Sequence, residues 1–257
     1  MNTSFFWTAW KKIVLAYAVG VGLGILIGTV LVHVANIAPH TVYEVSAKRI
    51  SFALPVFTSG AQAGIDTGLL LFAWNTLGAL ATMSFIHTAA WFNPKQMGAS
   101  PKAIRKFFCS KRPMKLLCFL PGCRRIPEES VRRVFVWLMV PLIGMVLLGM
   151  ESGLSIATSR GIFGSYFIGI ISLLPHGIIE IPTFALAGAV AYSAHLRIRE
   201  DTAFAHSEPV FKTLSAYRTT IPLRKIALIV IIGLLVAGVV EGHVTGALLN
   251  HFLGQSA

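Results

Sequence analysis

Acidic residues are scarce in this chain: 10 Asp and Glu in 257 positions, against 22 Lys and Arg. Charged residues of both signs make up only 12%, roughly half of what a soluble globular chain carries. With 55% hydrophobic residues beside them, that shortage excludes a disordered chain and argues against an ordinary soluble enzyme. Three cysteines are too few for a disulfide scaffold, and the 23 glycines show no Gly-X-Y period, which excludes a collagen-like chain. No H-E-x-x-H and no G-x-S-x-G occurs, so neither a zinc-protease helix nor a nucleophile elbow is encoded. The string Gly20-Val-Gly-Leu-Gly24 lies inside an apolar run with no strand before it, so it is not a nucleotide fingerprint. No low-complexity tract and no clear internal repeat appears.

What is present is a set of long uncharged runs. A bilayer-spanning helix needs about 20 mostly apolar residues. Residues 13–43, 67–94 and 134–150 carry no Asp, Glu, Lys or Arg, while 161–196 carries only Glu180 and 226–257 only Glu241. We read five spans, at about 13–34, 66–88, 134–151, 166–195 and 226–248, in one integral membrane domain covering 1–257. The fold class expected is all-α: a polytopic helix bundle with short interfacial helices. Lys11 and Lys12 precede an apolar stretch too long for a signal peptide and without a small-x-small cleavage site, so the first helix is read as uncleaved.

The basic residues set the expected topology. With the N-terminus inside, segments 1–12, 89–133 and 196–225 hold 19 of the 22 Lys and Arg, and the outer segments hold 3. This positive-inside bias puts the N-terminus in the cytoplasm and the C-terminus outside, in a multi-pass cell-membrane protein. The net charge of +12 is then a topology signal, and no nucleic-acid partner is expected.

The loop 89–133 mixes Lys102, Arg105, Lys106, Lys111, Arg112 and Lys115 with Phe107, Phe108, Leu116, Leu117 and Phe119. That pattern suits short amphipathic helices at the headgroup level that contact anionic lipid. Cys109, Cys118 and Cys123 lie in the same loop at C-x8-C-x4-C spacing, lack a nearby fourth ligand, and are read as free thiols. The outer segment 35–65 is too short and too polar to span, and one or two short helices dipping into the interface are expected there. The linker 196–225 is expected to form a short helix.

In lipid, small residues bring helices together because backbones approach closely there. Gly20, Gly24 and Gly28 form one double G-x-x-x-G ladder, and Gly238, Gly242 and Gly246 form another. Both are expected at helix interfaces, within one chain or between two.

Ionisable groups inside a span are costly and usually face protein or water. Glu180 sits near the middle of the fourth run, in Leu174-Pro-His-Gly-Ile-Ile-Glu-Ile-Pro182, with His176 four residues before it on the same helix face. Glu241 lies in the fifth run, Asn75 in the second, and Glu151 is expected to close the third at its outer end. The fourth run is too long for one span, so a break or kink near 161–175 is expected, with His176 and Glu180 serving freed backbone groups. H-x3-E offers two ligands where a catalytic zinc normally wants three from the protein, so no metal and no cofactor is expected. The open readings are a polar lock fixing helix geometry, a proton or ion path, a partner groove and, last, catalysis.

These residues carry a family resemblance. The span-four string 174–182 resembles the signature of the stage II sporulation protein M family. Phe72 to Asn75 resembles its Phe-x-x-Asn element. Val240-Glu-Gly-His-Val-Thr245 is similar to its Glu-x-x-x-Thr element, and the three occur in the expected order. The basic loop 89–133 has no counterpart in that pattern. The resemblance implies a polytopic membrane protein without known enzymatic activity, in a family whose sporulation member works with peptidoglycan-degrading partners. It marks Asn75, His176, Glu180, Glu241 and Thr245. Two hypotheses follow: a non-enzymatic membrane scaffold that works as a homo-oligomer or with other membrane proteins, and a small-solute or proton-coupled transporter using Glu180 and His176.

Overall fold

A computed structural model describes residues 4–47, 52–94, 126–202 and 206–254. Ten α-helices follow one another among them: α1 (Ser4–His33), α2 (Pro39–Ala47), α3 (Leu54–Gln62), α4 (Thr67–Met83), α5 (Phe85–Thr88), α6 (Glu129–Phe163), α7 (Tyr166–Thr202), α8 (Ser207–Thr220), α9 (Leu223–Val239) and α10 (Gly246–Gly254). A 3-10 turn, Ala89–Phe92, extends α5, and a π-helical segment, Val240–Thr245, joins α9 to α10. No strand occurs among the described residues. Five stretches are long and apolar enough to cross a bilayer: Ser4–His33, Thr67–Phe92, Glu129–Phe163, Tyr166–Glu200 and Leu223–Phe252. The molecule is therefore an all-α bundle with the five expected spans. The basic part of the long loop and its three cysteines fall within 95–125, outside the described residues.

The exposed surface is apolar. Leu26, Leu77, Leu147, Leu228 and Ile232 all stand more than half exposed on the long helices. A soluble protein does not present such continuous apolar faces, whereas lipid-facing helices do.

α7 is the central helix. Along its second half Ala185, Ala187, Ala189, Val190, Ala191 and Ala194 are fully buried, and their small size lets α1, α6 and α9 close around it. One apolar cluster joins Ile13, Met145, Ala185, Ala189 and Leu196 from α1, α6 and α7. A larger one joins α4 through α9, with Leu138, Val190, Val210, Val230 and Leu234 at its heart. α1 lies along α6, where the carbonyl oxygens of Val146 and Met150 occupy the places that β-carbons on Gly20 and Gly24 would take. The contact is reciprocal: the carbonyls of Tyr17 and Val21 meet Gly149 and Gly153 in the same way. Gly28 faces the Ala157 β-carbon. The groove on α6 is thus Gly149-x-x-x-Gly153-x-x-x-Ala157, and the Tyr17 hydroxyl donates to Ser152 Oγ beside it at 3.1 Å.

Two expectations about the third span change. The third span does not close at Glu151, because α6 runs on for twelve residues to Phe163. The stretch 152–165 is therefore mostly helix and not a loop. The break expected near 161–175 is present at Gly164, whose φ of +79° caps α6 in the left-handed region that glycine tolerates best. α7 then passes through both Pro175 and Pro182 as one 37-residue helix. The short helices foreseen within 35–65 and 196–225 are present as α2, α3 and α8.

Candidate functional site

Three helices deliver five polar side chains to one point inside the bundle. α4 brings Asn75, α7 brings His176 and Glu180 one turn apart, and the π segment brings Glu241 and Thr245. Glycine sets their spacing. A β-carbon on Gly68 would lie 2.8 Å from the Gly238 carbonyl oxygen, and one on Gly238 would lie 2.7 Å from that of Gly68. One on Gly242 would lie 2.8 Å from the Gly68 Cα. α4 and α9 therefore meet backbone to backbone. Gly246 makes no such approach, since no neighbouring atom lies within 4 Å of an added β-carbon there.

Within the cluster, Asn75 Nδ2 donates to Glu180 Oε1 at 3.0 Å. Thr245 Oγ1 donates to the Val240 carbonyl at 3.3 Å, five residues back along the π turn. The same oxygen lies 3.4 Å from His176 Nδ1. The other imidazole nitrogen, Nε2, points between two acids, 3.9 Å from Glu180 Oε2 and 4.0 Å from Glu241 Oε1. The side chains of His176 and Glu180 are 10% and 15% exposed and that of Glu241 28%, so the acids are drawn well away from solvent. The sequence offers only His176 and Glu180 as ligands on one face. The fold adds Glu241, so that one ligand atom from each of the three residues lies within 4.8 Å of the other two.

His176 and Glu180 thus reach across to α4 and the π segment. Near the prolines of α7, Thr183 Oγ1 donates to the Ile179 carbonyl at 2.6 Å, and Trp10 Nε1 to the Pro182 carbonyl at 3.0 Å. Two residues not singled out from the sequence pair at the start of α4. Asp66 caps α4 by accepting from the Leu69 amide at 3.1 Å, and its other oxygen lies 3.4 Å from His243 Nε2. His243 stands inside the Glu-x-x-x-Thr element, but nothing in the sequence ties it to an N-cap more than 170 positions earlier. A cavity of about 620 Å³ lies toward the other end of α7, among Phe6, Trp7, Arg197, Tyr217 and Lys225, and none of the five polar residues lines it.

Chemically, the cluster offers an imidazole, two carboxylates, an amide and a hydroxyl. Searches of curated proteins and of solved structures gave no match. A family model described as Stage II sporulation protein M matches residues 69–246. That stretch is more than half of the chain and contains all five members of the polar cluster. The chain belongs to the stage II sporulation protein M family and is a membrane-embedded protein.

Proposed function

We propose that this chain is a non-enzymatic membrane scaffold, acting as a homo-oligomer or as a subunit of a larger membrane complex. Its N-terminus faces the cytoplasm in this reading, supported by the gathering of 19 of 22 Lys and Arg into segments 1–12, 89–133 and 196–225. The observation that carries the reading is the cross-helix pair Asn75–Glu180, which ties α4 to the central helix beside the glycine contact of α4 with α9. A polar pair in a low-dielectric interior fixes which helix faces meet, because any other register leaves its groups unsatisfied. The cluster then holds the spans in one geometry and lets the outer faces serve partners.

The test compares two substitutions at one position. Glu180→Gln keeps the hydrogen bond from Asn75, so assembly in mild detergent, read by size and native mass spectrometry, stays near wild type. Glu180→Leu removes both acceptors, and the folded, monodisperse fraction falls. Equal, undiminished assembly of the two variants counts against the lock. The same purification, with mass spectrometry of co-purifying chains, identifies the partner.

A further inference from the structure

We propose that His176, Glu180 and Glu241 bind a first-row divalent metal ion, of which zinc is the probe of choice, and that the ion pins α7 to the π segment. The inference rests on the scaffold reading of this cluster and names what holds its centre.

The first argument is spacing. Separations of 3.9 and 4.0 Å from His176 Nε2 to the two carboxylates are too long for direct hydrogen bonds. Three atoms no more than 4.8 Å apart all lie within about 2.8 Å of a common point. Zinc–nitrogen and zinc–oxygen bonds run about 2.0–2.2 Å, so each side chain need close in by well under 1 Å.

The second argument is the tautomer. The Thr245 hydroxyl spends its one proton on the Val240 carbonyl. Its oxygen is then placed to accept from His176 Nδ1, so that in the ion-bound state the imidazole proton sits on Nδ1 and the Nε2 lone pair faces the ion. A ligating histidine is typically held in this way by a partner on its other nitrogen. Asn75 does the same for Glu180: by donating to Oε1 it leaves Oε2 turned toward the centre. Both supporting groups are side chains from other turns of the bundle, so two of the three ligand atoms are oriented before any ion arrives.

The third argument is charge and donor type. Two carboxylates brought close together inside a span repel one another. A divalent cation neutralises both. One imidazole with two carboxylates suits zinc, iron or manganese, whereas calcium and magnesium prefer all-oxygen shells. The sequence expectation of no metal followed from counting two ligands on one helix face. The third comes from a helix more than sixty positions away.

The experiment uses the full chain in detergent, in a background where Cys109, Cys118 and Cys123 are replaced by serine and the affinity tag is free of histidine. After chelator treatment, the protein is equilibrated with buffered free zinc and its metal content is measured. The expected result is about one zinc per chain. Glu241→Gln and Glu180→Gln, whose folding is verified by size, lose it. Thr245→Val, which removes the partner of Nδ1 together with the hydroxyl's bond to the Val240 carbonyl, weakens zinc binding about 10- to 100-fold. Zinc raises the thermal unfolding temperature of the parent and leaves that of Glu241→Gln unmoved. A well-assembled parent that takes up no zinc overturns the proposal, as does uptake by both acid variants equal to that of the parent. Either result leaves the assembly comparison of Glu180→Gln with Glu180→Leu, and so the scaffold reading, to stand or fall by itself.

Discussion

Asn75 shows how one side chain sets the geometry of the cluster. It stands in α4 among Phe72, Trp74 and Leu77, and its amide donates across to Glu180 Oε1 at 3.0 Å. Interhelical hydrogen bonds of this kind are worth about 0.6–1.7 kcal/mol in membrane proteins. Asn75→Leu is expected to lower stability by that amount, read as a shift in an SDS unfolding titration. Asn75→Asp is expected to cost more, because it sets a third carboxylate against Glu180 and Glu241. Equal stability of both variants and the parent would falsify the assignment of Asn75 as the donor. Polar residues like these were legible in the sequence because they interrupt apolar runs. Which oxygen faces which nitrogen was not, since that depends on the fold of the π segment. Nor were Gly149 and Gly153 legible as the partners of Gly20 and Gly24, because a glycine on a helix acquires meaning only from the backbone that meets it.

At the scale of elements, the sequence placed all five spans but misjudged where they end. The expectation cut α6 at Glu151 because the uncharged run 134–150 ends at that acid. A helix free to tilt or protrude need not stop there, and α6 and α7 run for 35 and 37 residues. The length of the fourth run called for a break near 161–175, and the left-handed Gly164 supplies it, eleven residues before Pro175. Beyond the spans, Glu128 joins the start of α6 to the start of α8. Its Oε1 accepts from His206 Nδ1 at 2.8 Å and its Oε2 from the Ser207 amide at 2.9 Å. The hydrogen bonds from His206 and then from Ser207 hold the Glu128 carboxyl below the ordinary carboxylate range. A depressed folded-state value means that the contact is fully present above the ordinary range and is lost as pH falls through the lowered one. The Ser207 amide is therefore expected to keep its hydrogen-exchange protection factor at neutral pH and to lose it in acid. In Glu128→Gln the protection should be lower throughout and lose this acid step. An unchanged acid step in that variant would assign it to another group.

Taken whole, the molecule is held by interfaces between its two halves. A cut within 95–125 leaves α1 to α5 on one side and α6 to α10 on the other. The glycine contact of α1 with α6, that of α4 with α9, and the Asn75–Glu180 bond all cross the cut. Since apolar surface gives little drive for association within lipid, these close contacts must supply it. The two halves, co-expressed as separate chains, are therefore expected to co-purify. Gly24→Val places side-chain atoms onto the Met150 carbonyl, and Gly68→Val onto that of Gly238. Both obstacles are backbone and cannot rotate away. Overpacking of this kind costs about 1–3 kcal/mol, or about a 5- to 150-fold weaker association of the halves. Gly22→Val is the matched control, because no neighbouring atom lies within 4 Å of its added β-carbon. It carries the same change in helix propensity on the same helix without the collision. Recovery of the second half with a tagged first half should fall for Gly24→Val and Gly68→Val, fall further for the two together, and stay level for Gly22→Val. If Gly24→Val and Gly22→Val recover equally, the halves are held by something other than glycine contact, and the loop 95–125 becomes the next segment to test.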